Sequence, residues 1–262
     1  MNTTIKISIL VVIFSVGIVY LYYITKKVHN FAPAVHKSET ISGKLRYRYF
    51  TPEVKANEKY PLVIYLHGGG SRGKNNRSQL EEIARNLASD SIQEKYPSFV
   101  IAPQCPHDKQ FLDIHYKQYP IAFHSQDEVP ESIETKLIVD LIKEFSQKYP
   151  IDTTRIYVCG FSMGASGSWD IITRYPNLFS AAFMIAGSKD TTKVEKVKHL
   201  PIWFFHGKHD NICTSETSEK THEALVKING NSKLTVFDAG HGCIKETLNT
   251  PGLYEWLFAQ KK

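Results

Sequence analysis

From about residue 40 onward, short apolar runs rich in β-branched and aromatic residues alternate with stretches whose apolar positions recur every three or four residues. The runs predict strands over Lys44–Phe50, Pro61–His67, Phe99–Pro103, Arg155–Phe161, Phe179–Ala186, Pro201–His206 and Lys233–Phe237. Between them, helical spacing predicts helices over Ser78–Ala88, Ser132–Lys148, Met163–Arg174, Ser215–Ile228 and Leu253–Lys261. Leu62-Val63-Ile64-Tyr65-Leu66 and Ile202-Trp203-Phe204-Phe205 are apolar without alternation, as in strands covered on both faces. The pattern predicts an α/β fold with a mainly parallel central sheet and helices on both faces. In such sheets the reacting groups gather at the carboxyl ends of the strands.

The first 35 residues read as a separate unit. Ile7 to Ile24 is apolar except for Ser8, Ser15 and Gly17, with Lys6 before it and Lys26 and Lys27 after it. As a helix these residues rise about 27 Å, enough to cross the hydrocarbon core of a bilayer. Ala32-Pro33-Ala34 has the end residues of a signal cleavage site but stands well past Ile24 and behind two lysines. The expectation is a hydrophobic anchor or signal segment with a short linker over residues 1–35, an uncleaved anchor being the favoured form, and a catalytic domain over residues 36–262. Lys6 and the amino terminus precede the span while Lys26, Lys27, Lys37 and Lys44 follow it, so the positive-inside count favours a cytoplasmic domain, whereas the association of such leaders with export favours an extracytoplasmic one.

Charge and cysteine content narrow the function by exclusion. Lys plus Arg number 32 against 26 Asp plus Glu, with no run of five like charges, so no nucleic-acid arm is present. The four cysteines, Cys105, Cys159, Cys213 and Cys243, are too widely spaced for a zinc site or a disulfide scaffold.

Three strand ends carry the chemistry. The predicted strand Arg155–Phe161 runs into Gly160-Phe161-Ser162-Met163-Gly164, a G-x-S-x-G turn followed by helix, where the serine hydroxyl stands exposed at the top of the sheet. Serine needs a base, and the base an acid. The next two strands end in His206-Gly207-Lys208-His209-Asp210 and Asp238-Ala239-Gly240-His241. The chain order Ser162, Asp210, His241 is that of a nucleophile, acid and base converging on one sheet edge. Asp238 competes with Asp210 for the acid but would have to fold back within its own loop. The other histidines, His67, His206 and His209 among them, read as loop braces or surface residues.

After the strand Pro61–His67, Gly68-Gly69-Gly70-Ser71-Arg72-Gly73-Lys74 admits two readings. As an oxyanion loop, Gly69 supplies one backbone N–H and Met163 the second. As a phosphate loop it matches GxxxxGK, yet Asn75 stands where that motif needs the magnesium-binding Ser or Thr.

Tyr60 through Gly70, Ile101-Ala102-Pro103-Gln104-Cys105-Pro106, Asp152 through Gly164, Trp169-Asp170 and Trp203 through Gly207 with Asp210 together resemble an esterase group often labelled predicted peptidases. That group is related to the feruloyl-esterase and polyhydroxybutyrate-depolymerase-like α/β-hydrolases and to the phospholipase/carboxylesterase family. The resemblance runs from about residue 40 to 260. It implies Ser162, Asp210 and His241 as the triad and Gly69 as the first oxyanion donor. Ala165 and Ser166 depart from the glycine and aromatic usual in the group, which bears on substrate preference.

The sequence thus predicts a serine carboxylic-ester hydrolase acting through an acyl-enzyme, with neither metal nor organic cofactor. Its expected substrate is a small-molecule or carbohydrate-linked or polymer-linked ester. Amide cleavage by the same groups, and a binding module on a hydrolase fold, stand as alternatives. The segment Cys105 to Pro130 lacks a clean period and reads equally as a wall over the site or as a packed surface loop. A Ser162–His241–Asp210 arrangement would bring the loops of Cys213 and Cys243 side by side, leaving open both a bridge between them and two free thiols.

Overall fold

The computed structural model describes residues 30–112 and 125–262. Eight strands form one sheet: β1 (Ala32–His36), β2 (Leu45–Phe50), β3 (Tyr60–Leu66), β4 (Phe99–Gln104), β5 (Ile151–Phe161), β6 (Ala181–Ile185), β7 (Ile202–Gly207) and β8 (Ser232–Phe237). Their order across the sheet is β1-β2-β4-β3-β5-β6-β7-β8. β1 and β2 pair antiparallel at one edge, and every neighbour pair from β4 to β8 is parallel. The two unalternating apolar runs are the buried strands β3 and β7, as their pattern predicts.

Because side chains alternate across a strand, the sheet sorts its residues into two cores. Leu62, Ile64 and Leu66 of β3 face one core with α3 (Ile133–Lys148) and α4 (Met163–Arg174). Val63 and Tyr65 face the other, which takes Ile83 and Leu87 from α1 (Glu82–Leu87) and Leu253 and Leu257 from α8 (Leu253–Phe258). Ser132 starts α3 by accepting from the Thr135 N–H at 3.0 Å, a side-chain cap on an otherwise orphaned donor. α6 (Glu216–Lys227) follows the loop after β7. The short helices α2 (Asp90–Gln93), α5 (Val194–Val197) and α7 (Ile244–Leu248) are too brief for a spacing pattern to reveal.

The described residues correct the expected limits in three places. The boundary at residue 35 falls inside β1, whose five residues pair with β2, so residues 32–35 belong to the sheet and not to a linker. His36 then ties this edge strand to α3 through Asp140 and Glu144, each at 3.0 Å. β5 begins at Ile151, four residues before the predicted start, because Ile151 pairs with Tyr60 across an irregularity that precedes Leu62. The helix predicted from Ser78 begins only at Glu82, since the Asn75 side chain accepts from the Arg77 and Ser78 N–H groups and holds that stretch as a turn. The apolar run Ile7–Ile24 lies outside the described residues. Among the described residues, no helix is long and apolar enough to cross a membrane.

Candidate active site

The strand order places the carboxyl ends of β3, β5, β7 and β8 along one edge, with β5 central. Ser162 follows β5 and precedes α4 at φ 53° and ψ −116°, a conformation that L-residues avoid. The turn exists because its flanking glycines permit two close crossings. A Cβ on Gly160 would stand 2.2 Å from the Gly164 carbonyl oxygen, and one on Gly164 would stand 1.9 Å from that of Leu66. Helix α4 is thereby pressed against β3, with its first N–H groups beside Ser162.

His241, in the loop after β8, meets Ser162: Nε2 lies 2.8 Å from Ser162 Oγ. Its Nδ1 lies 2.7 Å from Asp210 Oδ2, so the ring carries its proton on Nδ1 and leaves Nε2 to accept the serine hydroxyl. Gly207 lets the two loops approach, since a Cβ there would meet the Gly240 carbonyl oxygen at 2.1 Å. Asp210 Oδ1 accepts from the N–H groups of Ile212 at 2.8 Å and Cys213 at 2.9 Å. Burial alone would raise this carboxyl; the hydrogen bonds from Cys213, His241 and Ile212 outweigh it and hold the carboxyl below the ordinary carboxylate range. Asp238 points elsewhere, pairing at the surface with His209 at 2.7 Å.

On the other side of Ser162, Gly69 opens a single 3-10 turn, Gly69–Ser71, after β3. Met163 is the first residue of α4. Both are first residues of helical turns, where an N–H lacks an intrahelical partner. No helix begins at Lys74, so the geometry of a phosphate loop feeding a helix is missing.

Two residues that hold this loop were underrated or unseen in the sequence. His67 is fully buried; its Nε2 accepts from the Cys105 N–H at 3.0 Å and its Nδ1 donates to the Gly68 carbonyl at 2.7 Å. Burial pushes its imidazole pKa down, in keeping with the neutral form that this pair of contacts requires. Glu81 accepts from the Gly68 N–H at 3.2 Å and from the hydroxyls of Ser71 and Tyr65. Only the glycine run hinted that the loop needs an anchor, and nothing in the sequence pointed to Glu81.

Ala165 and Ser166 lie against the loop after β6. A Cβ on Gly187 would come within 2.5 Å of the Ala165 Cβ, so the alanine is accommodated by a glycine opposite. Ser166 Oγ accepts from the Ser188 N–H at 3.0 Å and borders a cavity also lined by Trp169, Ser188 and Lys189, one helical turn beyond Ser162. Of the segment Cys105 to Pro130, residues 113–124 lie outside the described residues. Its flanks pack inward: Phe111 rests edge-on against His67, and Gln126 bonds to Asp170 at 2.8 Å. All four cysteines are free and buried. Cys213 lies 3.8 Å from Thr217 Oγ1, whereas Cys243 packs in the core of Val63 and Tyr65. Of the two states left open by their spacing, the structure holds two thiols. Among the described residues, no cluster of His, Cys, Asp and Glu has the make-up of a metal site.

Comparison with known proteins gives a consistent picture. A model of the phospholipase/carboxylesterase family matches residues 51–250. A probable carboxylesterase from Oryza sativa subsp. japonica is 22% identical over 206 residues, covering 72% of this chain and 84% of that protein. Among solved structures, a thermostable esterase superposes with a TM-score of 0.79 at 30% identity, over 90% of this chain and 64% of its own, so the chain spans less than two thirds of that esterase. A ferulic acid esterase from Anaeromyces mucronatus shares the fold, with a TM-score of 0.63 at 17% identity over 88% of this chain and 90% of its own.

Proposed function

The chain belongs to the phospholipase/carboxylesterase family and is an esterase of the α/β-hydrolase superfamily, and from that premise we propose that it cleaves carboxylic esters through an acyl-enzyme on Ser162. The observation that carries this reading is the unbroken line of contacts from Ser162 Oγ to His241 Nε2, at 2.8 Å, and from His241 Nδ1 to Asp210 Oδ2, at 2.7 Å. His241 takes the serine proton as Oγ attacks the ester carbonyl, and the resulting imidazolium faces the Asp210 carboxylate. The carbonyl oxygen gains negative charge and is met by the Gly69 and Met163 N–H groups. His241 returns its proton to the departing alcohol, leaving the acyl group on Ser162. Water, deprotonated by His241, attacks the acyl carbonyl, and the released Ser162 oxygen recovers the proton. Each proton moves between named atoms, and no step calls for a cofactor.

The substrate class proposed is a small-molecule or carbohydrate-linked ester. A fluorophosphonate probe, which traps an activated serine, should label Ser162 alone, and Ser162→Ala should abolish both labelling and hydrolysis of p-nitrophenyl acetate. Labelling of a different serine would overturn the assignment.

The apolar run Ile7–Ile24 supports a second part of the proposal, attachment to a membrane through an amino-terminal helix with the catalytic domain on the extracytoplasmic side. Full-length protein should then resist carbonate extraction and, in intact cells, be open to external protease. Release by carbonate would remove the anchor.

A further inference from the structure

Asp210 is held by a second chain of donors that makes and breaks no bond in ester cleavage. His206, the last side chain of β7 before Gly207, has no exposed surface. Its Nε2 lies 2.6 Å from the Cys213 carbonyl oxygen and 3.1 Å from Asp210 Oδ2. Both are acceptors, so the proton sits on Nε2. Nδ1 of the neutral ring therefore accepts, and its partner is Ser218 Oγ at 2.7 Å. Behind Ser218 stands Lys189, whose Nζ donates to Ser218 Oγ at 2.9 Å and to the Gly187 carbonyl at 2.7 Å. The order of donation is fixed throughout: Lys189 to Ser218, Ser218 to His206, His206 to Asp210.

Two chains thus end on one oxygen, because Asp210 Oδ2 accepts from His241 and from His206 while Oδ1 takes the N–H groups of Ile212 and Cys213. His206 acts on the carboxylate twice, directly through Oδ2 and indirectly by gripping the carbonyl of Cys213, whose own N–H lies on Oδ1. The ionisable groups acting on His206 are Lys189 and Asp210, with the Cys213 thiol interacting with those two and His241 beyond Asp210. A protonated His206 would compete with His241 for the charge of Asp210. Burial and the Lys189 ammonium both work against that protonation, pushing the imidazole down to about 4.

We propose that His206, fixed by Ser218 and Lys189, is a positioning residue for ester hydrolysis: as a neutral donor it orients Asp210 and sets how strongly Asp210 draws on His241. This rests on the reading of Ser162, His241 and Asp210 as the reacting line. Removing the donor leaves Oδ2 to His241 alone, which strengthens that hydrogen bond and raises the basicity of His241. Since His241 must be unprotonated to act as base, the acid limb of kcat/KM moves to higher pH.

The test compares wild type, His206→Phe and His206→Gln on p-nitrophenyl acetate across pH 4 to 9, with fluorophosphonate labelling alongside. His206→Phe should lose about tenfold in kcat with KM within about twofold, and its acid limb should rise by about half a pH unit. His206→Gln carries a donor and an acceptor on one terminal group and should restore the wild-type limb. Where His206→Phe does not fold, Ser218→Ala replaces it, and its limb should rise in the same direction. A limb that coincides with wild type in the deciding variant, while the probe still labels Ser162, overturns the positioning role and leaves the nucleophile assignment standing. Labelling at another serine in wild type overturns that assignment instead.

Discussion

Gly164 passes Leu66 so closely that a Cβ on the glycine would lie 1.9 Å from the Leu66 carbonyl oxygen. The contact locks the helix that follows Ser162 onto the strand that leads into Gly69, so Ser162 and the loop facing it share one rigid support. An alanine in a helix interior is ordinarily worth up to about 1 kcal/mol over glycine; here the sign should reverse, because the clash is with the Leu66 and His67 backbone, which cannot swing aside as a flexible side chain can. Gly164→Ala should give insoluble protein or a sharply lowered Tm. A Cβ on Gly69 would meet nothing within 4 Å, so Gly69→Ala should keep the wild-type Tm. Equal melting temperatures for the two variants would disprove this account of the turn.

The backbone of Ser162, at φ 53°, separates stability from activity. Strain of this kind costs about 1–3 kcal/mol and glycine relieves most of it, less about 0.5–1 kcal/mol for glycine's freedom in the unfolded chain. Ser162→Ala and Ser162→Gly should both lose about a thousandfold or more in kcat/KM. Of the two, Ser162→Gly should melt higher, which differential scanning calorimetry would register.

The two acids are distinguished by what surrounds them. Asp210 is buried with four donors on its two oxygens, and Asp238 lies at the surface beside His209. Asp210→Asn presents an amide to His241, favours the wrong tautomer, and should cost about ten-thousandfold in kcat. Asp238→Asn should leave kcat within about twofold of wild type, since exposed ion pairs contribute little. Steady-state kinetics giving the reverse ranking would transfer the acid role.

The parallel core and the line of contacts from Ser162 through His241 to Asp210 were legible because each rests on a local signal. β3 and β7 announce themselves by unbroken apolar runs, and Ser162, Asp210 and His241 each follow a strand in an order that only convergence at one edge explains. β1 was hidden, as five residues of an antiparallel edge next to an apolar leader carry no alternation strong enough to set them apart. Glu81, Ser218 and Lys189 were hidden for a different reason. Their roles depend on which loop crosses which helix, and a glutamate on a helix or a lysine in a loop reads in sequence as solvated surface. His206 was read as a loop brace, which is half of what it does, since it grips Cys213 while donating to Asp210.

Glu81 is the test of the loop that carries Gly69. Its carboxylate gathers the Gly68 N–H and the hydroxyls of Ser71 and Tyr65, so the turn is held from outside its own sequence. Glu81→Ala should let the Gly69 N–H drift from the developing oxyanion and lower kcat about tenfold, a fraction of the loss on removing an oxyanion donor outright. KM should change little, because the donor matters most once charge has formed. A rise in KM at constant kcat would place Glu81 in substrate binding instead.

Lys189 makes a prediction about stability against pH. It is buried with a carbonyl and a hydroxyl as its hydrogen-bond acceptors, and burial pushes its ammonium down to about 8 from 10.5. A base whose folded pKa lies below its unfolded one binds fewer protons when folded, so its charge costs stability in full below about pH 8, and that cost is relieved as pH rises toward 10.5. The slope from one such group is bounded at about 1.4 kcal/mol per pH unit. Other groups titrate in the same window, so the informative quantity is the difference between wild type and Lys189→Met in urea unfolding. The methionine should be the more stable below pH 8, since an apolar side chain of similar length removes a buried charge. The two curves should converge as pH rises from 8 to 10. A difference independent of pH would mean that Lys189 binds its proton as tightly in the fold as in the unfolded chain, and burial would then not depress it.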